Sequence, residues 1–236
     1  MVVNALKAGN PIPDQFAERA AHYRDNPDAF GLPDHIRSLF PDCFVDSQLG
    51  PIPEGWEVKA LGDVLKLAYG KSLKASNRRA GHIPVYGSNG QVGWHDQALV
   101  PGPGIVVGRK GNPGIVKWVY SDFFPIDTTF YVVPKHYDYG LNFLFYALSR
   151  QNLPLLAADS AVPGLNRHFV YSKVQVFPPT KVANTFEQMV EANKKIQNRN
   201  EEGARLLADL RDTLLPKLIS GELRVPDVEK ILKDVP

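Results

Sequence analysis

Arg109, Lys110 and Asn112 crowd into the stretch GRKGNPG, and Asn89 and Gln91 flank Gly90 in SNGQ. An arginine fork suits the paired acceptors on the edge of guanine, and an Asn or Gln amide suits adenine, provided the backbone can come close. The turn glycines beside these residues permit that approach. Arg167, in GLNR, has the same character. Lys71, Lys74, Arg78 and Arg79 precede this stretch and are suited to phosphate oxygens. Between positions 69 and 119 stand seven Lys and Arg against a single acid, Asp96. Residues 1–60 are the reverse, with five basic side chains against nine acidic ones. A local imbalance of this kind favours a polyanionic partner more than the small overall charge of +2 does. The bland alternatives are a solvated basic face and simple hairpin connections.

The same residues offer little to catalysis. VGRKGNPG lacks the G-x-x-x-x-G-K-S/T order of a phosphate loop, YGKS has no upstream glycine at that spacing, and no G-x-G-x-x-G follows a strand. His22, His35, His82, His95, His136 and His168 include no pair at metal-ligand spacing, and Cys43 is the only cysteine, so no metal site is expected. Ser88 and Ser160 have His95 and His168 nearby in sequence, but no G-x-S-x-G elbow holds either serine as a nucleophile. No methyltransferase tetrapeptide is found. The pattern is that of a chain that reads rather than reacts.

The elements that must hold these residues can be read from texture. With 236 residues, 44% of them hydrophobic, the chain can bury a sizeable core. Up to Ser47 it reads as short helical or irregular pieces broken by prolines, with DQFAERAAHYRD as a short helix. From there WEVKALGDVLKLAYG, IPVYGSNG, GIVVGRKG, GIVKWVYS, TTFYVVPK and VYSKVQVFPP alternate between β-branched runs and turn residues, the signature of strands in a curved, mainly antiparallel sheet. One helix, Leu141 to Gln151, interrupts them.

Residues 182–219 have a helix composition, with Gly203 their only glycine and no proline before Pro216. Phe186, Met189, Asn193, Ile196, Asn200, Gly203, Leu207, Leu210 and Leu214 follow a 3,4 spacing that predicts a coiled-coil seam. About 35 helical residues reach roughly 50 Å, longer than a small domain is wide. Asn193 and Asn200 weaken the apolar contact and select register and partner. No signal peptide or membrane-spanning run is recognised and the lone cysteine suits a reducing compartment, so a cytoplasmic location is expected.

In order along the chain, LGPIPEGWEVKALGDV, IPVYGSNGQVG, IVVGRKGNPGIV, DTTFYVV, VPGLNR and LLPKLISGELRV resemble the specificity subunit of type I restriction-modification systems, over about residues 47–226. The resemblance implies an α+β fold: a target-recognition domain followed by one long C-terminal coiled-coil helix. It divides the chain into an N-terminal segment at 1–46, the recognition domain at 47–180, a dimerisation and spacer helix at 181–220 and a tail at 221–236. Full subunits of the family have two recognition domains spaced along DNA by an antiparallel pair of such helices. Only one of each is present here, so the chain resembles a half-subunit.

The implied role is sequence-specific recognition of double-stranded DNA without chemistry of its own, reading one half of a bipartite target and docking methyltransferase subunits. S-adenosylmethionine would sit on those methyltransferase subunits, and restriction subunits would join the complex. Leu207, Leu210 and Leu214 cannot be left in water without inviting association, so a homodimer or a pair with another half-subunit is expected. The alternative is a protein-interaction module assembled through the long helix, with basic loops that only solubilise it.

Overall fold

The computed structural model describes residues 1–26, 32–136, 138–158 and 164–222. The readings of Ser160, of part of VPGLNR and of the tail from residue 223 onward lie outside the described residues. Three short helices come first, α1 (Val2–Ala8), α2 (Ala17–Asp25) and α3 (Asp34–Arg37). They are tied to the segment that carries the first strands: the Asn4 side-chain amide donates to the Arg37 and Phe40 carbonyls, and Gln15 donates to that of Pro51. Phe16 stacks on Phe44 at 5.1 Å, and Phe40 lies 6.2 Å from Trp56.

Strands β1 (Phe44–Val45) and β2 (Ile52–Pro53) make a small antiparallel pair. Next come β3 (Glu57–Ala60), the single turn α4 (Leu61–Val64), β4 (Leu65–Tyr69), β5 (Ile83–Gly87), β6 (Gly90–His95), β7 (Gly104–Gly108), β8 (Val116–Val119), β9 (Phe124–Pro125) and β10 (Thr129–Pro134). Helices α5 (Leu141–Ser149), α6 (Leu153–Ala158) and α7 (Arg167–Tyr171) lead to β11 (Val174–Phe177) and the long α8 (Thr180–Ile219). Antiparallel pairing dominates, in keeping with the expected α+β fold.

The strands divide among several sheets rather than one. The largest has the order β4-β10-β7-β8, all antiparallel; β6-β5-β9 forms a second, with β5 and β9 parallel; β11 pairs with β3. Strand β7 is GIVVG, buried at every position. Its two faces explain why. Ile105 and Val107 enter the main core with Leu65, Leu67, Phe130, Leu144 and Leu148, whereas Val106 joins a smaller core with Val119 and Phe123. A strand covered on both sides has no polar face, so it reads as a continuous apolar run. Edge strand β4 instead alternates, with Leu65 and Leu67 buried and Lys66 between them exposed, while Tyr69 continues the face of Leu65 and Leu67 and is exposed at the strand's end.

Helix α5 buries Leu144, Ala147 and Leu148 by the i, i+3, i+4 rule. The expectation of one helix among the strands is corrected by α4, α6 and α7. These span only four to six residues each, too few for a 3.6-residue period to register. In α6, Pro154 falls in the first turn, where its missing N–H costs no helical bond.

The chain forms two compact units, Met1–Met189 and a second beginning at Val190. The first turns of α8 belong to the first unit: Val182 and Ala183 are buried, and Phe186 meets Phe143 and Tyr146 edge-on at 6.1 and 5.7 Å. In the second unit the helix leaves Ile196, Leu206, Leu207 and Leu210 exposed, Leu207 to 68%.

Candidate nucleic-acid interface

The turn between β7 and β8 is closed on itself by the Gly108 N–H donating to the Ile115 carbonyl at 2.9 Å and the Gly114 N–H donating to that of Gly108 at 2.8 Å. A Cβ on Gly108 would run into the Asn112 carbonyl, and Gly114 holds φ at +84°. Glycine is what allows so tight a return. Other loops then anchor this turn. The Arg109 and Lys110 N–H groups both donate to the Thr128 carbonyl, at 2.9 and 3.1 Å, and the Ser88 hydroxyl donates to the same oxygen. The Leu165 N–H donates to the Arg109 carbonyl at 2.8 Å. Four segments distant in sequence, around Ser88, Arg109, Thr128 and Leu165, therefore form one loop cluster.

Strand pairing supplies an aromatic floor. Register sets Phe130 of β10 opposite Tyr69 of β4 on one side and Val107 of β7 on the other. Residues two apart along a strand share a face, so Arg109, two beyond Val107, is directed toward the same row. The Tyr69 and Phe130 rings lie 5.0 Å apart. The Arg109 guanidinium sits 5.2 Å from the Tyr69 ring centroid and 6.0 Å from that of Phe130, and the Arg167 guanidinium 5.1 Å from that of Tyr69. Asn166 begins α7, its side-chain oxygen accepting from the His168 N–H at 2.9 Å.

These residues line a cleft of about 360 Å³ with Lys110, Gly164, Leu165 and His168. Among the described residues no carboxylate lines it. Among the described residues neither Arg109 nor Arg167 has an ion-pair partner, and the Arg109 Nε is buried without a hydrogen bond. With Lys110, three cations thus stand together with no ion-pair partner among the described residues.

Of the residues singled out from sequence, Arg109, Lys110 and Arg167 converge here. Asn112 and Asn89 stand next to them, exposed, with the Asn112 amide donating to the Asn89 side-chain oxygen. Lys71 lies two residues beyond the end of β4, and Lys71, Lys74 and Gln91 are exposed. Arg78 and Arg79 are differently employed. Arg78 Nη1 donates to the Val92 carbonyl at 2.6 Å, bracing β6. Arg79 pairs with Asp96 at 2.6 Å, and this guanidinium holds the Asp96 carboxyl below its ordinary range. Spacing alone missed Tyr69, Phe130, Asn166 and His168. The one local signal was Tyr69, an aromatic residue two beyond Leu67 on the core-facing side of the alternating strand LKLAY, at the end of that strand. Among the described residues no cluster of His, Cys, Asp and Glu could hold a metal ion, and no helix is long and apolar enough to cross a membrane.

Residues 53–168 match the family model of the type I restriction modification DNA specificity domain. Over 202 residues the chain is 24% identical to the type I restriction enzyme HindI specificity subunit of Haemophilus influenzae, covering 73% of this chain and 42% of that protein. Over 214 residues it is 24% identical to the MjaIX specificity subunit of Methanocaldococcus jannaschii, covering 75% and 46%. The crystal structure of the type I restriction-modification system S subunit from M. genitalium shares the fold, with a TM-score of 0.61 at 18% identity over 70% of this chain and 46% of that one. The chain spans less than half the length of the curated relatives it matches.

Proposed function

We propose that this chain, which carries the DNA specificity domain of type I restriction-modification systems at residues 53–168, recognises one half of a bipartite DNA target on behalf of a larger complex. The observation that carries this reading is the cleft in which Arg109, Lys110 and Arg167 converge, with no carboxylate among the described lining residues. Such a surface attracts a polyanion, and its arginine donors match base-edge acceptors. Lys71 and Lys74 are exposed and would take phosphates. Arg78 and Arg79 contribute less, because a carbonyl and Asp96 already engage them.

On this reading the chain does no chemistry. Methyltransferase subunits dock on it and hold S-adenosylmethionine, restriction subunits join through them, and the assembly works in the cytoplasm. The seam of α8, exposed at Phe186, Met189, Asn193, Ile196, Asn200, Leu207 and Leu210 and half-buried at Leu214, pairs with a second copy or with another half-subunit. The test is retention of a fluorescent duplex pool by the full chain, alone and with its methyltransferase subunit, across a salt series. Binding that weakens log-linearly with salt is expected. No retention at low salt in either form would overturn the reading.

A further inference from the structure

We infer that Arg109 and Arg167 are guanine readers, and that Tyr69 is the positioning residue that holds both guanidinium groups for the purpose. The inference rests on the DNA-reading role proposed above and names the base it reads. A guanidinium bound only for its charge needs no fixed plane. Phosphate contacts set position and tolerate mobile side chains such as the exposed Lys71 and Lys74. Arg109 and Arg167 are held differently. Each packs against the exposed Tyr69 ring, at 5.2 and 5.1 Å, and Arg109 also meets Phe130.

An aromatic face attracts a guanidinium through its quadrupole and leaves its charge uncancelled, whereas a carboxylate would occupy the N–H donors. Stacking also restricts the plane in which the remaining donors point. A planar fork held against an aromatic ring, with no ion-pair partner among the described residues, matches the O6 and N7 acceptors that guanine presents side by side in the major groove. The backbone is fixed to the same end. Arg109 is pinned through its own N–H to Thr128 and through its carbonyl to Leu165, and Arg167 opens α7 just after the Asn166 cap. Pre-organisation of the reading group and of the chain beneath it is what sequence discrimination requires.

The test is selection from a duplex pool of random sequence by the full chain and by Arg167→Lys, Arg109→Lys, Tyr69→Leu and Tyr69→Phe variants, each checked for a cooperative thermal transition. The wild-type chain is expected to enrich a motif containing guanine. Each lysine variant should lose one guanine column, Tyr69→Leu should blur both, and Tyr69→Phe, which keeps the ring, should restore them. Replacing a selected guanine by 7-deazaguanine should weaken wild-type binding about tenfold and weaken the matching lysine variant no further.

Variants that lose affinity equally for every sequence while keeping the wild-type motif would make these arginines phosphate contacts and overturn the inference. So would a motif without guanine, or one whose guanines survive in every variant. If the wild-type chain enriches no motif at all, the DNA-reading proposal itself falls and takes this one with it, an outcome distinct from the others.

Discussion

Tyr69 does for two arginines what an acid would otherwise do, immobilising them without neutralising them. Each such contact stabilises by about 0.5–2 kcal/mol depending on desolvation, enough to bias a side-chain rotamer. Arg79 shows the opposite case, since its pairing with Asp96 removes it from the charge offered to a ligand. Accordingly Arg109→Ala should weaken duplex binding, measured by fluorescence anisotropy, far more than Arg19→Ala in the acidic N-terminal segment. Cys43 invites a separate measurement. Its thiol donates to Glu54 at 2.9 Å, and that hydrogen bond, with desolvation and the Glu54 charge, pushes the thiol up to about 11. Alkylation by iodoacetamide should therefore be slow at pH 8 and accelerate only as the pH approaches 11, because the thiolate is the nucleophile. Glu54→Gln should raise the rate at pH 8.

At the scale of elements, the joint between α5 and α8 stands out. The Glu187 carboxylate of α8 accepts from the Asn142 and Phe143 N–H groups, each at 3.0 Å, and from the Asn142 side-chain amide at 2.9 Å. It thereby satisfies donors at the first turn of α5 that no intrahelical carbonyl can reach. Gly140 lies so close that a Cβ would strike this carboxylate. Glu187→Ala should cost about 1–3 kcal/mol and lower the midpoint of thermal unfolding followed by circular dichroism. Glu187→Gln, which keeps one acceptor oxygen, should cost less. None of this was legible beforehand, because Glu187 and Asn142 stand 45 residues apart. The elements themselves were legible: GIVVG, TTFYVV and the heptad run declare strand or helix through their own periodicity, while α4, α6 and α7 are too short to do so.

For the whole molecule, the decisive feature is apolar surface along α8 that the described chain leaves uncovered, with Leu207 at 68% and Leu206 at 69% exposure. Light scattering should report a dimer, and Leu207→Asp combined with Leu214→Asp should convert it to monomer, since two buried charges in a seam cost far more than the pairing returns. The amino-acid sequence by itself determined the succession of short strands, the long helix with its 3,4 spacing and a basic, glycine-rich stretch of turns. These follow from local rules, in which periodicity records which face of a segment is buried and glycine records where the chain must turn. Only the tertiary structure decided which cations act together. Arg79 is cancelled by an acid 17 residues away, while Arg109 and Arg167 meet on Tyr69 because β4, β10 and β7 pair in one particular register and Leu165, just before α7, hydrogen-bonds to Arg109 in the β7–β8 turn. Pairing between distant segments is set by how the whole core packs, and no local pattern carries that information.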